Sequence, residues 1–463
     1  MPDTTPQSRR DRVASTLAAA GEPACIVVAS GIPLPIAGTD QSLPFHAHPE
    51  FRYLAGIESA GSVLVFDADA GWVLFAHVPS EEERVWSGDG VSLDDLAHAS
   101  GIEVVRPSDE LDDWLEQRRS RPLTLAGNHD LARWPAAYGS RAWHTLEPDL
   151  DESRSARLSA IIAEARRAKD ADELANMRNA VAASRAGHLA AMRLAHAGMT
   201  ERQLQVELEV EFARAGSLRT AYGSIVGTGP NGAVLHFAPG ARELHDGDLV
   251  LIDAAAEWDG YAADITRTFP VSRRFEGIQR DLYQLVANVQ QEAIESVRPG
   301  VEYRDLHLQA AYSIASGLAD LGILRGAPST LVERDAHAVF FPHGLGHMLG
   351  LSTHDAGGCL AGREPSDRFG LKWLRADLPL AEDYVVTIEP GIYFIRTLLT
   401  NSQWRDRYRD EVNWGRVDEM LDFGGIRIED DVRVTTAGSE VLSAAIPRSI
   451  DDIEAIRREA LSQ

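Results

Sequence analysis

Hydrophobic residues fall along this chain in two kinds of spacing, and the change from one to the other divides it. Through the first 150 residues, short apolar runs alternate with turn residues. Cys25-Ile-Val-Val28 is the kind of run that forms a buried strand. Ser62-Val-Leu-Val-Phe66, then Asp67-Ala-Asp-Ala-Gly71, then Trp72-Val-Leu-Phe75 predicts a hairpin with a glycine-containing loop. Leu123-Thr-Leu-Ala-Gly127 predicts a further strand. The helical stretches between these runs make the region a compact α/β unit.

From about Leu150 the spacing becomes helical, with Leu158, Ile161, Ile162 and Ala165 on one face. Asp170-Ala-Asp-Glu173 has the form of a capping box and leads into Leu174, Met177 and Val181. Thr200-Glu-Arg-Gln203 repeats the device before Leu204, Leu208 and Phe212, with Gly216 as the stop. The division therefore falls near residues 150–170, giving an N-terminal α/β domain over 1–160 and a second domain over 161–463. Within the second, Ile278–Val297 and Val301–Leu321 predict helices. Asp248–Glu257, Tyr261–Phe269, Tyr384–Phe394 and Ile426–Val434 predict strands. The fold class is α/β (α+β). A faint internal echo is visible, because 248–269 and 383–434 each pair two strands that carry acidic residues at apolar positions.

The 463 residues hold 45 Lys+Arg and 70 Asp+Glu, a formal charge of −25. Such acidity repels phosphate backbones and anionic lipid, so neither nucleic acid nor a membrane is an expected partner. No apolar stretch approaches the roughly 18 residues of a membrane span, and the run Ala24–Ala29 is too short and too late for a signal peptide. Two cysteines, Cys25 and Cys359, cannot form a disulfide framework. A soluble cytoplasmic protein is expected, with Cys359 as a small core residue.

Four carboxylates change this picture, because they stand where apolar strand residues belong. Leu249-Val-Leu-Ile-Asp253 and Tyr261-Ala-Ala-Asp264 flank Asp259-Gly260, a strong hairpin turn. If Asp259 and Gly260 are the turn, Ala255 lies opposite Asp264 and Asp253 points to the same face. A turn centred slightly earlier puts Asp253 directly opposite Asp264. Both registers crowd two like charges, which is costly unless something positive sits between them. Glu389 ends another apolar strand, and Arg427 and Glu429 share one face opposite Ile426 and Ile428, a pattern that a buried Arg427–Glu429 ion pair would also explain.

Phe341-Pro-His343-Gly-Leu-Gly-His347 follows, with His354-Asp355 seven residues after His347. The His343–His347 spacing is that of a zinc helix, but Gly344 stands where the catalytic glutamate would be, and two glycines argue against a helix. Four carboxylates with one imidazole make an oxygen-rich donor set suited to hard or borderline ions, Mn2+ first and Co2+ or Zn2+ after it. Two divalent ions would neutralise the four carboxylates. Paired ions typically lie about 3.5–4 Å apart and activate a bridging water.

These strings, Asp253–Pro270, His343-Gly-Leu-Gly-His347, Ile388-Glu389-Pro-Gly and Gly425-Ile-Arg-Ile-Glu429-Asp-Asp, resemble the pita-bread metallopeptidases of the prolidase and aminopeptidase P branch. The resemblance covers roughly residues 165–445, and more loosely His48–Gly56 and the segment around Trp86. It implies hydrolysis of Xaa-Pro bonds in di- or oligopeptides, two divalent metal ions, and a homodimer. Asp253 would bind one ion, His347 and Glu389 the other, and Asp264 and Glu429 would bridge. Glu389 would also carry the proton, His236 would sit near the substrate amide, and His354 would stabilise the tetrahedral intermediate. His343 and Arg427 match substrate-side or supporting positions.

Gly391–Leu399, the insertion before Phe423 and Gly370-Leu-Lys-Trp-Leu-Arg375 resemble prolidase, where an arginine at Arg375 would read the dipeptide carboxylate. Xaa-Pro dipeptidase is therefore the expected activity, with aminopeptidase P on longer peptides as the alternative and a non-catalytic peptide-binding module as a remote one. Glu82-Glu-Arg-Val-Trp86 looks more like aminopeptidase P, whose tryptophan there reaches a neighbour's active site, although a packed core or surface tryptophan is the simpler expectation.

Overall fold

The computed structural model describes residues 5–21, 25–118, 123–126 and 152–462. Two compact units divide the chain, Met1–Arg166 and Arg167–Gln463.

In the first unit, β1 (Cys25–Ala29), β2 (Val63–Asp67), β3 (Gly71–Ala76), β4 (Val104–Pro107) and β5 (Leu123–Leu125) form one sheet in the order β4-β3-β2-β1-β5. β1, β2 and β3 are mutually antiparallel, and the two edge strands join in parallel. A parallel neighbour needs a crossover, which the helix Leu93–Ser100 supplies between β3 and β4. The expected hairpin forms with Asp67 opposite Gly71. The Asp67 carboxylate accepts the N–H groups of Asp69 and Ala70, both at 3.0 Å, and Gly71 takes the left-handed φ of +72°. One face of the sheet buries Cys25, Val27, Val65 and Phe75 against Trp114. Gly127 lies outside the described residues. Trp86 does not pack: it is 78% exposed on the helix Glu81–Ser87, whose glutamate-rich turns offer no apolar face to bury.

The second unit opens on the helix Ala171–Leu194. Asp170 accepts from the N–H groups of Asp172 and Glu173 while Glu173 accepts from Asp170, so the capping box is closed in both directions. Thr200 and Gln203 close the second box on the helix Glu201–Arg214. Both helices bury their expected apolar residues, as do Ile278–Ser296 and Tyr303–Asp320. Around them lie β6 (Arg219–Thr220), β7 (Ile225–Thr228), β8 (Leu249–Asp253), β9 (Ala256–Trp258), β10 (Tyr261–Ala262), β11 (Thr266–Pro270), β12 (Val385–Ile388), β13 (Gly391–Tyr393), β14 (Gly425–Arg427), β15 (Asp430–Val434) and β16 (Ser439–Val441). They form sheets in the orders β10-β9-β6, β11-β8-β7, β12-β15-β16 and β13-β14.

Each of the four long strands expected from the sequence is thus two short ones, and every break falls beside an acidic residue. The turn at Asp259-Gly260, with φ of +50° and +83°, fixes one register through both halves of its hairpin. Tyr261 faces Trp258 and Thr266 faces Asp253, which puts Ala255 opposite Asp264. Asp264 leaves the ladder because its N–H donates to the Asp431 carboxylate. Pro390 has no N–H to continue β12 into β13. Glu429 turns its N–H to the Thr266 carbonyl (3.1 Å), which ties the second hairpin to the first.

Candidate active site

Asp264, His347 and Glu429 are buried and offer ligand atoms that all lie within 4.8 Å of one another. His347 Nε2 stands 3.3 Å from Asp264 Oδ2 and 3.5 Å from Glu389 Oε1. Its Nδ1 is engaged by the Met348 carbonyl at 3.0 Å, which turns Nε2 into the cluster. The loop carrying it is not helical, as its glycines foretold. Gly346 is required there, since a Cβ would collide with the Thr387 carbonyl and the Tyr303 hydroxyl.

Burial pushes Glu389 up to about 7, raises Asp264 and raises Glu429 far above the usual carboxylate range, with repulsion among the acids adding to each. Buried like charges of this kind are what a multivalent cation relieves. A donor set of carboxylate oxygens and one imidazole fits divalent ions.

Asp253 lines the same cleft but is already held by protein. Tyr222 donates to its Oδ1 at 2.7 Å, and Arg427 Nη2 donates to its Oδ2 at 2.6 Å. The alternative of a buried Arg427–Glu429 ion pair is not what forms, since Arg427 pairs with Asp253. Arg427 also donates to Thr266 Oγ1 and the Tyr393 hydroxyl, while Glu429 Oε2 accepts from Thr266 Oγ1 at 2.7 Å. β14 pairs with β13 and not with β15, so Arg427 and Glu429 sit on either side of a strand break and find different partners.

The remaining expected residues line the cleft as well. His343 Nε2 meets the Tyr393 hydroxyl at 2.9 Å, and its ring is pushed down to about 3 by burial and by Arg427. The His354 ring meets that of His347 edge-on, with centroids 4.5 Å apart. Arg375 donates to the His354 ring. Burial, His347 and Arg375 push His354 down to about 3, so it stands neutral at pH 7. His236 is exposed on the wall of the cleft. Cys359 is exposed and not in the core; in its strand-like bridge to Asp377, Asp377 is the buried partner.

Several participants carried no sequence signal. Tyr222 sits among small residues with no pattern, Tyr393 reads as an ordinary strand aromatic, and Trp373 lines the cleft while 58% exposed. Thr266 could have been found, since it is two residues from Asp264 and so shares its face.

Paired strands that floor a cleft with carboxylates and one imidazole define a divalent-metal hydrolase. Comparison with known proteins gives its family. Residues 175–436 match metallopeptidase family M24, and residues 7–124 match the N-terminal domain of aminopeptidase P. The chain belongs to metallopeptidase family M24, on the pita-bread fold expected from its motifs, and divalent metal binding is a property of that family.

A probable Xaa-Pro aminopeptidase of Fusarium vanettenii is 34% identical over 426 residues, covering 91% of this chain and 88% of the relative. One from Uncinocarpus reesii is 30% identical over 462 residues, covering 97% and 94%. Pseudomonas aeruginosa aminopeptidase PepP superposes with a TM-score of 0.82 at 29% identity over the whole of both chains. Zinc-substituted E. coli aminopeptidase P in complex with product gives 0.81 at 29% identity, covering 98% of each chain. These findings favour aminopeptidase P over the dipeptidase expected from Gly391–Leu399 and Gly370–Arg375. Gly391–Tyr393 is a buried strand, whose residues are set by packing and separate two branches of one fold poorly. Among the described residues, no helix is long and apolar enough to cross a membrane.

Proposed function

We propose that the protein is an Xaa-Pro aminopeptidase that removes the first residue of peptides with proline second. Two divalent cations would be held by Asp253, Asp264, His347, Glu389 and Glu429. The observation that carries this reading is that the five residues floor a cleft with two arms. One arm is lined by Pro342, Trp373 and Arg375, the other by Tyr222, Ser224 and Phe237, and His354 and His236 line both. The names of the relatives support it. Mn2+ is the ion we assign, with Co2+ and Zn2+ as alternatives, because oxygen donors dominate the set.

When bound, the cations supply polarisation of the scissile carbonyl and an acidified water. The protein's own groups do the rest. Glu389, whose Oε1 stands 3.5 Å from His347 Nε2 on the cleft floor, takes up a proton and returns it to the proline nitrogen as the bond breaks. Neutral His354 donates a ring N–H to the developing oxyanion. Arg427 balances Asp253, Tyr393 links Arg427 to His343, and His236 lies where it can meet the substrate amide.

The arm with Trp373 and Arg375 receives proline and the residues after it, because its fixed cation repels an α-ammonium and its aromatic wall suits a pyrrolidine ring. The residue before proline then lies beside Asp253, whose carboxylate suits the free amino group. A homodimer in the cytoplasm belongs to the same reading. The exposed Trp86 supports the first and two cysteines outside any disulfide support the second.

The test is to strip metal from the full chain, restore Mn2+, and compare an Xaa-Pro dipeptide with an Xaa-Pro-Yaa tripeptide. Faster tripeptide cleavage is expected. Faster dipeptide cleavage would restore prolidase, and cleavage of neither would sink the peptidase claim.

A further inference from the structure

The arm of the cleft away from Trp373 opens between the first turn of the helix Glu201–Arg214, the segment Tyr222–Ile225 and the segment His236–Pro239. Asp253 and Asp264 form its inner end. Ile225, Phe237 and Pro239 give it apolar sides, against which the stem of a side chain can lie.

Two polar groups interrupt this lining. Arg202 donates from Nη1 to Gln205 Oε1 at 2.7 Å and has no carboxylate partner among the described residues. Its side chain is exposed and lines the arm, so a ligand entering there can meet the guanidinium. Gln205 in turn donates to Glu209 Oε1 at 2.7 Å, so its amide braces the guanidinium and is not free for a ligand. Ser224 is 3% exposed and lines the arm, yet its Oγ has no hydrogen-bond partner among the described residues. Buried hydroxyls are rarely left unmatched, and a serine hydroxyl rotates to meet an acceptor that comes beside it.

We propose that this arm is the subsite for the residue before proline, and that it selects an acidic side chain whose carboxylate meets Arg202 with the Ser224 hydroxyl as second donor. The proposal rests on the Xaa-Pro aminopeptidase reading. The free amino group lies by Asp253, the side-chain methylenes run along Phe237 and Pro239, and the carboxylate reaches the guanidinium. A lysine or arginine in the same place would face Arg202 with like charge, and discrimination between substrates arises as much from such repulsion as from attraction.

The experiment uses the Mn2+-loaded full chain and the peptides Glu-Pro-Ala, Gln-Pro-Ala, Ala-Pro-Ala and Lys-Pro-Ala. Glu-Pro-Ala is expected to exceed Lys-Pro-Ala in kcat/KM by roughly tenfold, a difference typical of one favourable and one unfavourable charge contact in a partly desolvated site. Arg202→Glu should invert that ratio and Arg202→Gln should bring it near unity, whereas mere structural damage lowers both peptides together. Ser224→Ala should reduce the preference for Glu-Pro-Ala over Ala-Pro-Ala. A wild-type ratio at or below one, or a ratio unmoved by Arg202→Glu, overturns the proposal. So does a shift that appears instead between Ala-Pro-Glu and Ala-Pro-Lys, since Arg202 would then read the residue after proline. Calorimetry on Glu-Pro-Ala and Lys-Pro-Ala separates the two failures. A chain that cuts neither peptide but binds the first more tightly refutes the peptidase reading alone, and equal binding refutes the subsite.

Discussion

Replacing Glu429 by glutamine should make the metal-free protein more stable and the metal-loaded protein less stable than wild type. Glutamine keeps the shape and the oxygen that accepts from Thr266 Oγ1 at 2.7 Å, so the strand break survives. What it removes is a charge. At the 4.8 Å that bounds the Asp264, His347 and Glu429 ligand atoms, two unit charges in an effective dielectric near 20 repel by about 3.5 kcal/mol. Wild type already relieves part of this, because burial and the neighbouring acids raise the Glu429 carboxyl and favour its protonation. The net gain for the metal-free variant is therefore about 1–3 kcal/mol, or a rise in melting midpoint of about 2–5 °C for a unit of this size. Excess Mn2+ reverses the order, because ligation stabilises wild type by RT ln(1 + [L]/Kd) and the variant has lost a ligand. Differential scanning calorimetry in chelator and in excess Mn2+ gives all four midpoints, and activity should vanish in the variant. A metal-free variant that melts below wild type, or an equal upward shift of both proteins with Mn2+, would refute the claim that these carboxylates are crowded together for a cation.

Four further outcomes are expected. Arg375→Ala should weaken turnover of Xaa-Pro dipeptides more than of tripeptides, because only the dipeptide places its terminal carboxylate on the proline; equal losses would remove Arg375 from that role. Trp373→Ala should raise KM for tripeptides more than it lowers kcat, and an isolated fall in kcat would show that the ring does not form a binding wall. Gly346→Ala should destabilise the second unit by about 3 kcal/mol or more, as expected for a side chain forced against fixed backbone, and a mild effect by thermal melting would show that the loop yields. Burial holds His188, His307 and His337 at about 4, down from 6.5. The unfolded chain takes up these protons first as pH falls, so their contribution is whole above about pH 6.5 and drains away towards pH 4, by about 3 kcal/mol per histidine. The raised Glu389, Asp264 and Glu429 carboxyls act in the opposite direction in the metal-free protein, so the check is the difference between wild type and His307→Gln: a difference that stays flat from about pH 6.5 to about pH 4 would contradict this.

Local chemistry carried a good share of the architecture into the sequence. Asp259-Gly260 fixed a hairpin register, and Asp170 with Glu173 and Thr200 with Gln203 fixed two helix starts, because each needs only groups a few residues apart. The glycines of His343–His347 excluded a helix for the same reason. Acidic residues at the ends of apolar strands marked the acidic floor of the cleft, since a buried carboxylate is too costly to be incidental.

What the sequence alone determined, then, are the features that depend on neighbours along the chain: the helices, their caps, the hairpin turn, and the acidic character of the cleft floor. Tertiary structure decided the partners. The Asp431 carboxylate drew the Asp264 N–H out of its ladder, Pro390 split another strand, and Arg427 took Asp253 in place of Glu429. Tyr222 reached Asp253 from 31 residues away, and the exposure of Trp86, Trp373 and Cys359 could be read only from the folded surface. Hydrogen bonds and ion pairs act over a few ångströms, so their choice waits until distant segments are brought side by side.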